Sequence, residues 1–187
     1  MYEIKHKSGR TLFHTSNKFT ALNRASMGWR VEKMKIKVSR CRNNAKLPTY
    51  GTSGAACFDL YAVLDEPVRC CVGEPVDVPT GLKFEIPDGY AMFVYSRSGH
   101  GFKHDIRLSN CVGVIDSDYR GEVRVRLTCD VDHYDEETTA FTPYFIQPGE
   151  RVAQAVIVQV NRFEFEEVCS LSDTERGAGG MGSTGKC

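Results

Sequence analysis

Many short apolar segments, separated by turn residues, constrain the fold of this chain more than any other feature. After residue 34 most of these segments end at Gly, Pro or Asp turns such as Pro87-Asp88-Gly89. No stretch in this part has an apolar period of 3.6 long enough for a convincing helix. The expected strands are 36–38, 58–62, 76–84, 91–95, 112–115, 122–127, 141–146, 152–160 and 163–168. Such a series predicts an all-β sandwich, jelly roll or barrel.

The composition is compatible with a β domain that folds without covalent crosslinks. The chain has 187 residues, of which 41% are hydrophobic and 26% charged, and this composition excludes disordered and fibrous proteins. No apolar run approaches the roughly 20 residues that cross a bilayer. The eight cysteines include no CxxC pair and follow no secretory signal, so we expect neither a zinc ribbon nor a disulfide framework.

The net charge of zero conceals a basic N-terminal part and an acidic remainder. Residues 1–47 hold twelve Lys and Arg but only Glu3 and Glu32, whereas residues 48–187 hold twelve basic and twenty-two acidic residues. The basic part can dock on the acidic part, remain solvated, or bind nucleic acid weakly.

Residues 1–33 lie before the β-rich pattern, and we expect them to form a small extension. The first 31 residues hold one acid, Glu3, and several Arg, Lys, Ser and Thr, and Phe19, Leu22, Ala25 and Trp29 could share one helical face. This composition is partly typical of a mitochondrial transit peptide. However, the segments 2–5 and 11–14 read as two strands around a Ser-Gly turn, which favours a small folded hairpin. Mitochondrial targeting by residues 1–31 therefore stays open beside a folded appendage.

Three polar segments carry candidate chemistry. Arg97, Ser98 and Gly99 follow a strand and offer a guanidinium fork, a hydroxyl and a freely placed backbone to an anion. Asp116 ends an apolar run, where a carboxylate can hold a water as general base, although an ordinary Asp turn would look the same. The tail from residue 176 combines glycines with basic and hydroxyl side chains, which is phosphate chemistry on a flexible arm. No helix can follow it, which excludes a Walker A or dinucleotide loop.

Five segments in order resemble the motifs of the trimeric dUTP nucleotidohydrolase (dUTPase) family. They are AACFDLYA (55–62), SRSG (96–99), GVIDSDYRGE (113–122), PGERVAQ (148–154) and RGAGGMGSTG (176–185). The resemblance begins near residue 47. It implies a jelly-roll-like β-barrel that assembles as a homotrimer, with active sites between subunits and a mobile C-terminal arm. We therefore expect an extension (1–33), a barrel (34–169) and a phosphate-binding arm (170–187).

The resemblance also implies an activity and a role for each matching residue. The family hydrolyses dUTP to dUMP and pyrophosphate with Mg²⁺, which limits uracil in DNA and supplies dUMP for dTMP synthesis. Asp116 would activate the water that attacks the α-phosphorus, and Asp59 would reach Mg²⁺ through water. The residues expected at uracil and deoxyribose are Asn110, Gly113, Val114, Ile115, Tyr119 and Met181. The residues expected at the phosphates are Arg97, Ser98, Gly99, Gln154, Arg176, Gly182, Ser183 and Thr184.

The chain departs from the family pattern at a few positions. Met181 stands where an aromatic residue usually stacks on uracil, so we expect weaker contact with the base. His100 stands where an apolar residue is usual, and Ser96 replaces a frequent proline. Residues 129–141 look like an insertion, which could bind a protein partner or be a tolerated surface loop.

Two other functions are alternatives to dUTP hydrolysis. A dCTP deaminase shares the fold but has a different third motif and lacks the RGxGG arm. A regulatory protein on the same scaffold would act through residues 129–141 or 1–33. We expect a cytoplasmic protein, or one in the nucleus or a virus-infected cell, with no membrane partner.

Overall fold

The computed structural model describes residues 1–131, 133–135 and 140–180 of the chain. Most of its regular structure is β. The strands are β1 Tyr2–Lys5, β2 Thr11–Thr15, β3 Arg30–Lys33, β4 Lys37–Arg40, β5 Thr49–Tyr50, β6 Phe58–Tyr61, β7 Val68–Cys70, β8 Val76–Pro79, β9 Leu82–Glu85, β10 Tyr90–Tyr95, β11 Ile106–Leu108, β12 Val112–Ile115, β13 Arg124–Cys129, β14 His133–Asp135, β15 Ala140–Thr142, β16 Tyr144–Ile146 and β17 Arg151–Gln159. The helices are α1 Lys18–Ser26 and α2 Ser98–His104. Neither of these helices is long and apolar enough to cross a membrane.

The N-terminal extension is folded. Its strands form an antiparallel sheet in the order β2-β1-β3, and α1 follows β2 along the chain. Asn17 caps α1, because its side-chain oxygen accepts hydrogen bonds from the N–H groups of Phe19 and Thr20. Ile4 and Ala21 are buried, whereas Phe19 is 83% exposed. Both predicted strands are therefore present, but the helix buries a different face from the one that the sequence suggested.

The remaining strands form several antiparallel sheets around one apolar core. The largest has the order β12-β10-β17-β6-β5, and a second has the order β11-β13-β8. The two-stranded sheets pair β4 with β9, β7 with β16 and β14 with β15. Leu60, Met92, Leu127, Ile146 and Val152 lie in the shared core with almost no exposed surface. The predicted all-β class is confirmed. No sheet closes on itself within the described residues, so the jelly-roll-like barrel stays a prediction, as does the boundary at residue 33.

Four local predictions differ from the structure. The segment 141–146 is two strands, because β15 pairs with β14 and β16 pairs with β7. The segment 76–84 is two strands, because the chain turns at Gly81, whose φ is +68°. The segment 163–168 is not a strand, since it has no partner strand among the described residues, and Phe165 is fully exposed. The body also contains α2, which the sequence did not indicate because the helix has only seven residues. The expected insertion at 129–141 includes the hairpin of β14 and β15.

Candidate functional site

The segment 106–115, which consists of β11, a tight turn and β12, precedes Asp116. We call it the hairpin, although β11 pairs with β13 and β12 with β10, and not with each other. Cys111 adopts a left-handed conformation with φ +62°, and the N–H of Val112 donates to the carbonyl of Asn110 at 2.6 Å. Strand β12 then pairs with β10, with Gly113 opposite Val94. A Cβ atom at Gly113 would lie 3.2 Å from the Val94 Cβ, so glycine lets the two strands approach. The predicted base-reading residues are therefore held on one short hairpin.

A cavity of about 420 Å³ lies against this hairpin. Its walls include the side chains or backbone of Asn110, Gly113, Val114 and Ile115, and Arg124 and Arg126 lie at its edge. Valine and leucine side chains line it together with several polar groups, a combination that can hold and orient a small organic ligand. Four of the residues predicted to contact uracil thus share one cavity, which we name the hairpin cavity.

Asp116 and Tyr119 lie in the turn that follows β12. The N–H of Tyr119 donates to the carbonyl of Asp116 at 3.2 Å, and its hydroxyl donates to the carbonyl of Glu122 at 3.1 Å. A Cβ at Gly121 would clash with the Tyr119 ring, so glycine is needed for this ring position. The Asp116 side chain is exposed and has no hydrogen-bond or ion-pair partner in the described part of the chain. It is therefore free to hold a water molecule.

A second group of predicted residues meets where β6, β17 and β10 lie side by side. Gln154 is the register partner of both Asp59 and Tyr95. The Asp59 carboxylate lies 3.4 Å from the guanidinium groups of both Arg97 and Arg151. Arg97 also donates to the carbonyl of Arg151 at 2.9 Å. We name this group, with Ser98, the basic cluster.

The basic cluster borders a second cavity, of about 450 Å³. Arg97, Ser98 and Gln154 line it, and the Gln154 amide donates to the carbonyl of Ser96 at 3.0 Å. A guanidinium, a hydroxyl and an amide are donors suited to phosphate oxygens. Gly99 lies next to this cavity without lining it, and nothing in the structure explains why that position should be glycine.

The hairpin cavity and the basic cluster share no lining residue, but they lie next to each other: the N–H of Leu108, at the first cavity, donates to the hydroxyl of Ser96, at the second, at 2.9 Å. Within the described residues no hydrogen bond or ion pair joins Asp116 or Asn110 to the basic cluster. Arg176 lies at neither cavity, because its guanidinium donates to the carbonyl of Gly179 in its own turn at 2.8 Å. Met181, Gly182, Ser183 and Thr184 lie outside the described residues. The roles assigned to all these residues stay predictions.

The sequence did not indicate a buried polar group behind Ser98. His100 is 3% exposed, and its Nε2 lies 2.6 Å from Oε1 of Glu150. The same oxygen accepts a hydrogen bond from the Tyr144 hydroxyl, and Oε2 accepts one from the N–H of Gln147 at 2.8 Å. Burial acts to raise the pKa of Glu150, but the bonds from Tyr144, Gln147 and His100 outweigh it and lower this pKa. Burial and the bond to Glu150 raise the pKa of Tyr144. The histidine at an unusual position was the sole signal in the sequence.

Comparisons with known proteins agree on one family. A family model described as dUTPase matches residues 43–185. A deoxyuridine 5'-triphosphate nucleotidohydrolase from Nautilia profundicola is 46% identical over 153 residues, which cover 82% of this chain and 100% of that protein. One of the same name from Paraburkholderia xenovorans is 44% identical, over 82% of this chain and 99% of that protein.

Solved structures of phage enzymes share the fold. The dUTPase of Staphylococcus bacteriophage 80alpha with dUPNHPP has a TM-score of 0.68 and 26% identity, over 82% of this chain and 100% of that chain. A dUTPase from phage phi11 of S. aureus, described with a structural Mg(II) ion, has a TM-score of 0.64 and 22% identity. That alignment covers 75% of this chain and 100% of that chain, and at this identity it shows the fold alone. The family match and the relatives at 44–46% identity show that this chain belongs to the dUTPase family.

Proposed function

We propose that this protein hydrolyses dUTP to dUMP and pyrophosphate. Membership of the dUTPase family and the names of its relatives support this activity. The observation that carries it is the exposed Asp116 carboxylate at the end of the strand that lines the hairpin cavity. A base bound in that cavity would place its sugar and α-phosphate towards the turn that holds Asp116 and Tyr119.

Each group in the two sites has a task in this reaction. Asp116 accepts a proton from the water that attacks the α-phosphorus, a role that contributes about 10²–10⁴-fold in rate. Asn110 and the backbone from 113 to 115 provide hydrogen-bonding groups at the edge of the base. The Tyr119 ring packs against deoxyribose and leaves no space for a 2′-hydroxyl. Arg97, Ser98 and Gln154 donate to the phosphate oxygens, where their fixed positions stabilise charge that develops on the leaving group.

Asp59 fits a magnesium ion that is held mainly by substrate and water. It is a single carboxylate beside two guanidinium groups. Within the described residues there is no cluster of three or more side chains that could together hold a metal ion. Mg²⁺ usually keeps several waters and binds through one or two carboxylates and the substrate phosphates. When bound, this ion neutralises charge on the phosphate chain. Asp59 would orient it through a bound water.

We further propose that three copies assemble, each as a jelly-roll-like barrel, so that the hairpin cavity of one subunit faces the basic cluster of another. Membership of the family, whose trimers the sequence resemblance describes with active sites between subunits, supports shared active sites. The exposed apolar segment at 163–168 supports the assembly, because a neighbouring subunit would cover it. The glycine-rich arm, with Arg176, Gly182, Ser183 and Thr184, would close over the phosphates while Met181 covers the base.

The alternative functions have less support. The family match favours dUTP hydrolysis over dCTP deamination. A regulatory role through residues 1–33 or 129–141 is compatible with catalysis and stays a prediction. We propose that the protein works in the cytoplasm, where the dUTP pool is accessible.

Pyrophosphate release from dUTP, dCTP, dTTP and UTP, each with Mg²⁺ and with EDTA, tests the activity. We expect release from dUTP alone and its loss with EDTA. Asp116→Asn should lower the rate by about 10²–10⁴-fold, because the amide cannot accept the proton, while binding of a non-hydrolysable dUTP analogue persists. Asp65→Asn replaces an exposed carboxylate that lines neither cavity and should keep full activity. Activity of the Asp116 variant equal to wild type would contradict the assigned base.

A further inference from the structure

The buried histidine His100 lies directly behind the phosphate side of the site. It belongs to α2, whose first residue is Ser98, and its backbone N–H donates to the carbonyl of Arg97 at 3.1 Å. Its ring packs edge-on against Tyr144, with ring centroids 5.7 Å apart. The ring lines neither cavity, and its contacts with Tyr144 and Glu150 attach the short helix that begins at Ser98 to the core.

Two links join this helix to the start of β17. One is the contact between His100 and Glu150, and the other is the hydrogen bond from Arg97 to the carbonyl of Arg151. Glu150 and Arg151 are adjacent in sequence, and β17 carries Gln154 three residues further on. Gln154 already pairs with Tyr95 and bonds to the Ser96 carbonyl, and the two links extend this support to Arg97 and Ser98. Arg97, Ser98 and Gln154 are the three donors at the basic cluster.

The chemistry of Glu150 defines the direction of the histidine bond. The hydrogen bonds that lower the pKa of Glu150 keep this carboxylate ionised, and an ionised carboxylate accepts hydrogen bonds but donates none. His100 must then donate from Nε2. Its other ring nitrogen, Nδ1, is buried and has no hydrogen-bond partner in the described residues. Burial of such an atom is unfavourable, so His100 is a poorer space-filling residue than a leucine would be. Unlike a leucine, His100 provides a charge-assisted hydrogen bond with a fixed direction.

We propose that His100 is a positioning residue for the triphosphate: its hydrogen bond to Glu150 holds Arg97 and Ser98 at the spacing from Gln154 that phosphate oxygens require. His100 itself touches no substrate. The inference rests on the proposed function for the identity of the ligand, and it concerns the phosphate side alone. Loss of the bond should weaken recognition of phosphates but leave recognition of the base in the hairpin cavity unchanged.

Two variants of His100 test this role, and their side chains carry the same amide group at different distances from the backbone. His100→Gln places an amide N–H near the position of Nε2, whereas His100→Asn places it near Nδ1, where no acceptor lies. The probes are α,β-imido-dUTP, which carries the phosphates, and deoxyuridine, which does not. We expect His100→Asn and His100→Leu to weaken binding of the imido analogue by about tenfold, the loss of one charge-assisted bond. His100→Gln should stay within about threefold of wild type, and deoxyuridine should compete equally in all four proteins.

The control is His14→Leu, which removes a histidine that contacts the Tyr90 hydroxyl at 3.2 Å in the N-terminal extension. It should leave both affinities unchanged. Equal affinity of wild type, His100→Gln and His100→Asn for the imido analogue would overturn the proposal, as would a parallel loss for deoxyuridine. If His100→Leu does not fold, the comparison of the two amides decides. The affinities of the variants relative to wild type do not depend on turnover. An inactive wild-type protein would therefore contradict the proposed function without deciding the role of His100.

Discussion

At the residue scale, Glu122 fixes the loop that carries Tyr119. Its carboxylate accepts two hydrogen bonds from the Arg42 guanidinium, at 2.7 and 3.1 Å, and one from the N–H of Gly81 at 2.9 Å. Its backbone carbonyl accepts the Tyr119 hydroxyl. The bonds from Arg42 lower the pKa of Glu122 below its ordinary 4.5, with a further contribution from Gly81, and they exceed the opposing effect of burial. One carboxylate therefore couples the loop to two distant segments.

This coupling predicts a dependence of stability on pH. Because the folded-state pKa of Glu122 is lowered, its contribution is complete above 4.5 and is lost as the pH falls through the folded-state value. Glu122→Gln should lower the free energy of unfolding by about 1 kcal/mol near pH 7. The difference from wild type should shrink in more acidic buffer, as measured by urea unfolding at both pH values. A difference that stays constant with pH would show that the charge of Glu122 does not stabilise the fold.

The sequence motifs predicted which residues line the same cavity. They did not predict which other residues hold those lining residues in place. Asn110, Gly113, Val114 and Ile115 are near neighbours along the chain, so one hairpin brings them together. The support of Ser98 depends on His100 and Glu150, which are fifty positions apart. A contact over that distance depends on how the sheets pack, and local pattern carries no information about packing.

At the element scale, strands were predictable where they have partners in the same chain. The alternation of buried and exposed residues in β9 and β13 is visible in the sequence. The apolar segment at 163–168 has the same composition but no partner strand among the described residues. Strand propensity needs a neighbouring strand to take effect, and the sequence of one chain does not show whether that neighbour exists.

The C-terminal arm should be needed for turnover but not for folding. In the described part of the chain, Arg176 bonds within its own turn and not to the core, so removal of residues 176–187 should change Tm by less than about 2 °C. Loss of the phosphate-binding arm should lower the rate of pyrophosphate release by about 10²-fold, because charge on the phosphates is no longer stabilised. Circular dichroism and the pyrophosphate assay measure the two effects. A truncated protein with full activity would exclude the arm as a lid.

At the scale of the whole molecule, one chain has two candidate sites and one exposed apolar segment. The hairpin cavity holds the candidate base-reading residues and the basic cluster holds the candidate phosphate donors. Phe163 is 76% exposed and Phe165 is fully exposed. Burial of both rings against another subunit would stabilise the assembly, since each fully buried aromatic side chain contributes about 1.5–3 kcal/mol. Assembly would therefore complete the site and cover this segment together.

The combined change Phe163→Ser and Phe165→Ser tests that link. We expect wild type to have about three times the 20.9 kDa mass of one chain in light scattering, and the double variant to have a lower mass and little turnover. Phe19→Ser is the matched control, because Phe19 is 83% exposed on α1 and lies in the extension outside the family match. It should change neither mass nor turnover. A double variant that keeps both the wild-type mass and full activity would show that this segment does not hold subunits together. A single chain with full activity would show that the two cavities need no partner to form one site.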